Sequence, residues 1–153
     1  MGIEASSRMN GDEIIRLYEA GERDFRRINL TEADLRGADL SQADLSDADL
    51  HMANLTNADL SNTNLSWAIL SWARLPQANL SGTNLEMANL SGTDLTGVDF
   101  TGANLRAVDM RWASMAQADL TDADLTLADV ADEQLAQAAS LKGATLPDGT
   151  KHE

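Results

Sequence analysis

The chain has 153 residues, which suits a single domain with a continuous core. Its formal net charge of −14 argues against binding to nucleic acid or anionic membranes through a basic surface. The absence of cysteine excludes disulfides, thiolate metal sites and a cysteine nucleophile. No apolar run approaches the length of a membrane-spanning helix, so we expect a cytoplasmic location.

The first predicted element is a short N-terminal helix. Residues 1–9 are expected to be flexible, and residues 10–24 to form a capping segment. Within it, residues 12–20 have a helical pattern, with Asn10 or Asp12 as N-cap and Gly21 as the stop. Such a helix would cover an open edge of the structure that follows.

The middle of the chain is a continuous internal repeat. Residues 28–132 divide without a gap into 21 units of five residues. The central residue of each unit, here called i, is always apolar, from Leu30 to Val130. Position i−2 is mostly Ala, and position i−1 is Asp or Asn except at Ile69, Arg74 and Ser114.

A period of five fits neither an α-helix nor a flat strand. On a helix the central residues would spiral around the axis, and on a strand they would alternate between opposite faces. The consistent solution is a short extended segment that points i−2 and i inward, followed by a corner at i+1 and i+2. Ser, Thr and Gly are frequent at those two positions, as is typical of turns, and Asp or Asn at i−1 can bond to turn backbone.

The repeat units carry a family resemblance. Ala33-Asp34-Leu35-Arg36-Gly37 and Ala43-Asp44-Leu45-Ser46-Asp47 resemble the A(D/N)LXX unit of the pentapeptide repeat family, and the ends resemble its cyanobacterial-type members. The resemblance implies an all-β fold. It is a right-handed quadrilateral parallel β-helix, a solenoid with four repeats per coil and short N- and C-terminal capping helices.

The resemblance also sets the expected domain organisation. The β-helix would occupy residues 25–132 in about five coils. Residues 133–153 would form the C-terminal cap and tail, with a helix over residues 132–139 at the junction. The spacing of five between Leu141 and Leu146 then returns to the repeat.

The departures from the repeat suggest a binding surface. With four units per coil, large apolar residues at the outward i+2 position fall in two neighbouring columns, and Ile69 lies between them. All three tryptophans of the chain belong to this group, and Trp is favoured at interfaces. The alternative is that corner side chains stack only to stiffen the columns. The expected partner-binding residues are Met52, Trp67, Ile69, Trp72, Met87, Trp112 and Leu127.

The acidic residues form a second, weaker pattern. Asp39, Asp59, Asp99 and Asp119 fall in one i−1 column, interrupted by Asn79. The simpler interpretation is a solvated face that keeps the protein soluble. The resemblance implies an alternative, because some family members mimic duplex DNA and inhibit or protect DNA gyrase.

Nothing in the sequence favours catalysis or a cofactor. His51 lies at an outward corner, and the serines are corner residues that we expect to have no base beside them. We therefore expect a non-catalytic interaction or scaffold module without cofactor, metal, nucleic-acid or membrane binding. Its ligand would be an unidentified protein partner or a second copy of the chain, with gyrase as the alternative partner.

Overall fold

A computed structural model describes residues 7–153, so residues 1–6 of the segment expected to be flexible lie outside the described residues. Helix α1 spans Gly11–Glu19 and helix α2 spans Asp132–Leu135. Between them the chain forms a ladder of single parallel β-bridges instead of long strands. The described residues contain no other helix.

The ladder joins equivalent residues of successive coils, four repeat units apart. On one side of the solenoid Asn29 pairs with Asp49, Asp49 with Ile69, and Ile69 with Asn89; the same step recurs in three further columns. Around Leu50, the N–H donates to Ile69 O at 2.7 Å, and the neighbouring Asp49 N–H donates to Ile28 O at 2.9 Å. Each coil therefore has four short sides, and each side bonds to the coils before and after it.

The core is a regular stack of small aliphatic side chains. The central residues from Leu30 to Leu125 and the i−2 residues beside them are buried, so both point to the solenoid axis as predicted. Each fully buried Leu contributes about 1.5–3 kcal/mol before chain entropy is counted. Where Thr replaces Ala at i−2, its hydroxyl donates to the carbonyl three residues earlier, as Thr83 does to Leu80 O at 2.6 Å.

The corners share one backbone conformation. Every i+2 residue from Arg27 to Leu127 has a positive φ, whether or not it is glycine. The N–H that follows residue i+2 closes the turn by donating to the carbonyl of residue i, as when Ala68 donates to Leu65 O at 3.1 Å. This is the class of β-turn that requires positive φ at its third residue.

The Asp and Asn residues at i−1 stabilise these corners. Their Oδ1 accepts a hydrogen bond from the backbone N–H of residue i+1 at every Asp or Asn from Asp24 to Asp124. Where i+1 is Ser or Thr, the hydroxyl usually donates to the same oxygen, at 2.7 Å for Ser61 and Asp59. Asp and Asn therefore have the same local role, which explains why both occur there.

Helix α1 packs on the first coil. Asn10 is its N-cap, and the Asn10 side chain accepts from the Glu13 N–H at 2.9 Å. Ile14 is fully buried in the core, and the Tyr18 hydroxyl donates to Ser41 O at 2.8 Å. The helix lies one residue before the predicted range, and the chain leaves it through Gly21 with φ 102°.

Helix α2 is shorter than the predicted helix over residues 132–139. It ends at Leu135, and by Ala139 the chain has returned to the ladder, where the Ala139 N–H donates to Ala118 O at 2.8 Å. Parallel bridges then pair Ser140 with Asp119 and Thr145 with Asp124. Sheet pairing with the preceding coil therefore overrides the helical propensity of the Ala-rich segment.

The hydrogen bonds at i−1 predict a difference between two substitutions of Asp59. Asp59→Ala removes the acceptor of the Ser61 N–H and hydroxyl, so we expect a loss of about 1–2 kcal/mol in the free energy of unfolding. Asp59→Asn keeps an acceptor and should stay within about 0.5 kcal/mol of the wild type. Urea unfolding of the two variants checks this, and an equal loss in both would show that the acceptor is unimportant.

Candidate functional site

Seven large apolar side chains are exposed among the described residues, and they are the seven that the sequence predicted. The three tryptophans are 59%, 56% and 71% exposed, at Trp67, Trp72 and Trp112 respectively. We call the seven residues the apolar strip: Met52, Trp67, Ile69, Trp72, Met87, Trp112 and Leu127. Their exposure is a structural finding, and their role in binding stays a prediction.

The apolar strip occupies one side of the solenoid and its two corners. Trp67 and Trp72 are corner residues at the two ends of one side, and Ile69 lies between them on the face. The bridges of Ile69 place Asp49 before it and Asn89 after it in the same column. The strip therefore crosses the face at one coil and continues along both corner columns.

The tryptophans adopt a backbone conformation that suits smaller residues. Trp67, Trp72 and Trp112 have φ values of 61°, 59° and 65°. The left-handed region costs an ordinary L-residue about 1–2 kcal/mol, and glycine accepts it readily. The turns thus do not explain why large apolar residues occupy these corners.

The Trp72 indole leans over the next coil. A Cβ placed on Gly92, the equivalent corner of that coil, would lie 2.5 Å from Trp72 Cε3, so the ring fills the space that Gly92 leaves open. Gln77 lies over Gly97 in the same manner. Corner side chains therefore lean toward the following coil, and Trp72 covers the gap that Gly92 leaves in the column before Trp112.

Arg111 organises the C-terminal end of the apolar strip. Its guanidinium lies 5.2 Å from the Trp112 ring centroid, within the range of a cation–π contact. It also pairs with Asp109 at 2.8 Å and with Asp129 at 3.6 Å. The hydrogen bonds from Arg111 lower the pKa of Asp109 below its ordinary value.

Ile69 breaks the rule that stabilises the corners. It offers no acceptor to the Ser71 N–H, whereas Asp49 and Asn89 bond to the equivalent N–H groups at 3.0 Å and 2.9 Å. At Arg74, which also departs from Asp or Asn at i−1, the residue at i+1 is Pro76, which has no N–H to satisfy. Ile69 therefore gives up a hydrogen bond and exposes an aliphatic side chain without a local structural gain.

The acidic column has a structural role at each residue. Bridges stack Asp39 on Asp59 and Asp99 on Asp119, with Asn79 between the pairs. Each of these carboxylates accepts the N–H of its own corner. Hydrogen bonds from the Ser41 hydroxyl and N–H lower the pKa of Asp39. The column therefore does not by itself indicate a binding site.

One expectation about the serines is wrong. His51 Nδ1 lies 2.8 Å from Ser71 Oγ, so a base does lie beside a serine. The two residues occupy equivalent corners of successive coils, so the coil register could have revealed the contact. The hydrogen bonds of the described residues include no third group on the imidazole, and both side chains lie on an outward corner. This pair lacks the orienting group of a catalytic triad.

Metal clusters and membrane-spanning helices are absent from the part of the chain that the structure describes. No group of three or more His, Asp or Glu side chains there could hold a metal ion. Within the same residues, no helix is long and apolar enough to cross a bilayer.

A family model described as pentapeptide repeats matches residues 24–62, 58–97 and 93–130, in eight copies. The chain belongs to the pentapeptide repeat family. The fold of this family is the right-handed quadrilateral β-helix, which agrees with the four columns of bridges. No curated protein matches the chain.

Solved pentapeptide repeat structures are similar to this one. A protein from the Arabidopsis thaliana thylakoid lumen is 24% identical, with a TM-score of 0.59, over 76% of this chain and 74% of that chain. A protein from Nostoc Pcc 7120 is 34% identical, with a TM-score of 0.50, over 84% of this chain and 93% of that chain. The Nostoc match confirms the resemblance to cyanobacterial members.

A more distant match involves antibiotic resistance. Full-length QnrB1, a plasmid-mediated fluoroquinolone resistance protein, is 20% identical over 82% of this chain and 84% of that chain. Its TM-score is 0.31, and a likeness this low carries no argument about the function of the present pentapeptide repeat protein.

The missing acceptor at Ile69 predicts a stabilising substitution. Ile69→Asn restores the acceptor for the Ser71 N–H that the other coils have, so we expect a gain of about 0.5–1.5 kcal/mol in the free energy of unfolding. Ile69→Ala removes the same side chain without adding an acceptor and serves as the control. Urea unfolding measures both, and an Asn variant no more stable than the Ala variant would contradict the prediction.

Proposed function

We propose that this pentapeptide repeat protein is a non-catalytic protein–protein interaction or scaffold module, with the apolar strip as its working surface. The observation that supports this most is that all seven exposed large apolar residues lie on one side of the solenoid and its corners. Exposed apolar patches with aromatic residues at their centre are typical of interaction sites.

Stacking within the corner columns explains the apolar strip less well. Side chains that served only to stiffen a column would gain most by burial, yet all three tryptophans remain more than half exposed. The strip also includes Ile69, which lies on the face and forgoes a corner hydrogen bond. A partner that covers the strip would explain both the exposed tryptophans and the missing hydrogen bond at Ile69.

The two end helices and the stacked coils would make the solenoid a rigid support for the apolar strip. We propose that helices α1 and α2 close the two ends of the solenoid, since Ile14 and Leu135 are buried against the core cluster. The Gln134 side chain donates to Met110 O and to Ala113 O, and Ala113 O is the carbonyl to which a further coil would donate. Between Asn29 and Asp129 the bridges take five steps, which supports the expected count of about five coils, and a further bridge pairs Asp124 with Thr145 beyond the repeat. The cytoplasmic location stays a prediction.

The alternative is a DNA-mimicking inhibitor or protector of gyrase that acts through Asp39, Asp59, Asp99 and Asp119. No feature of these four residues favours it, because their carboxylates have the same corner bonds as Asp and Asn elsewhere. It is therefore an outcome of the experiment below and not a second proposal.

The proposal predicts that two substitutions abolish partner capture. Trp67→Ser with Trp72→Ser should reduce capture from a lysate at least tenfold, because loss of a central aromatic contact typically costs about 2 kcal/mol or more. Between low and moderate salt, capture should weaken less than it would for the DNA mimic, since the apolar contacts are not screened. The matched control is Gln77→Ser with Gln117→Ser, at corners of another column with the same positive φ.

A variant of the acidic column distinguishes the apolar strip from the DNA mimic as the source of partner binding. Changing Asp39, Asp59, Asp99 and Asp119 to Asn keeps the corner acceptors and should leave capture unchanged. Loss of the partner in this variant alone, with gyrase among the captured proteins, would overturn the proposal in favour of the DNA mimic. Equal capture by the wild type and the Trp variant would also refute it.

A further inference from the structure

We infer that the element that binds the apolar strip is an amphipathic α-helix with Lys or Arg beside its apolar stripe. The inference rests on the proposed function and adds the chemistry of the partner. It follows from three properties of the strip: its paired backbone, its axial spacing and its charge.

The face of the strip offers no strand edge. The Ile69 N–H donates to Ala48 O at 2.9 Å, and the Ile69 carbonyl accepts from the Leu50 N–H at 2.7 Å. The adjacent Leu70 N–H donates to Asn89 O at 2.7 Å. A partner segment cannot add a strand to this face, so it must satisfy its own backbone groups internally, as a helix does.

The spacing of the strip along the solenoid matches a helix. Met52 and Trp72 occupy one corner column in successive coils, as Trp67 and Met87 do in the other. Stacked coils are about 4.8 Å apart, close to the roughly 5.4 Å rise of one helical turn. Alternate residues of an extended strand are about 6.6 Å apart, so they do not match the spacing of the coils. Apolar residues at successive helical turns would therefore meet successive coils.

The charges beside the strip favour a basic helix. Asp47 and Asp49 precede Trp67 and Ile69 by one coil, and neither is in an ion pair among the described residues. Asp109 and Asp129 lie at the other end but share Arg111. Lys or Arg beside the apolar stripe would meet Asp47 and Asp49, and the net charge of −14 would attract such a helix.

A second copy of the chain fits the strip less well. Two copies would each bring a net charge of −14, with carboxylates at the edges of both strips. The strip covers about four coil spacings by one side of the solenoid, roughly 20 by 10 Å, or a few hundred Å². A stable interface needs about 800 Å² from each partner. A helix of roughly 14 residues has the matching length.

Three synthetic peptides test the inference. The first is an 18-residue helix of Leu and Lys with Leu at helical spacing; the second replaces Lys by Glu; the third has the first composition in strict alternation. Fluorescence anisotropy of labelled peptides gives Kd. We expect the first to bind the wild type at least tenfold more tightly than the other two. Trp67→Ser with Trp72→Ser should weaken its binding at least tenfold.

A matched pair of charge variants distinguishes contacts with the carboxylates beside the strip from attraction to the net negative charge of the whole protein. Asp47→Asn with Asp49→Asn should weaken binding of the Leu/Lys helix about three- to tenfold. Asp39→Asn with Asp59→Asn removes the same charge from another column and should leave it within twofold. All four positions tolerate Asn, because Asn occupies equivalent positions elsewhere in the repeat. An equal loss in both pairs would mean attraction to the net charge and would overturn the inference.

The remaining outcomes distinguish the two proposals. If the Lys and Glu helices bind equally or neither binds, while lysate capture still depends on the tryptophans, the basic helix is wrong and the interaction surface stands. A wild-type dimer in sedimentation that the Trp variant abolishes would assign the strip to a second copy and also overturn the helix. If partner capture from a lysate is the same for the wild type and the Trp67→Ser, Trp72→Ser variant, both proposals fail.

Discussion

The register between stacked coils, one coil for every four repeat units, is the constraint on which the whole structure depends. Because each side pairs with the same side of the next coil, every buried Leu, every corner and every i−1 acceptor recurs in a fixed column. A residue that departs from the repeat therefore changes one point on a column and leaves the core intact. This separation lets the protein place large apolar groups on its surface without disturbing the fold.

Much of this arrangement can be predicted because the five-residue repeat gives the inward and outward positions and the family resemblance gives four units per coil. The inward positions, the corners and the seven exposed side chains are fixed once four units form a coil. The corner conformation then explains the tolerance of i+2 for Gly, Asn and larger residues. The register alone does not predict the direction in which a corner side chain leans. The Trp72 ring, for example, leans over Gly92.

The ends of the solenoid are harder to predict from the sequence, because tertiary contacts decide them. The Ala-rich segment after Leu135 has helical propensity, yet pairing of Ala139 with Ala118 ends α2 early. The role of Gln134, whose side chain bonds to two carbonyls of the preceding coil, has no signal in a five-residue pattern. The contact of His51 with Ser71 follows from the coil register, which places both at the same corner, and not from the five-residue pattern.

A partner that covers the apolar strip would shield its side chains from solvent. Hydroxyl-radical footprinting measures this directly, since Trp and Met side chains are readily oxidised and the strip contains five of them. The oxidation of Trp67, Trp72 and Met87 is compared between the free protein and the protein with its captured partner. We expect strong protection of these side chains in the complex. Unchanged oxidation of the strip, with protection confined to the acidic column, would contradict it.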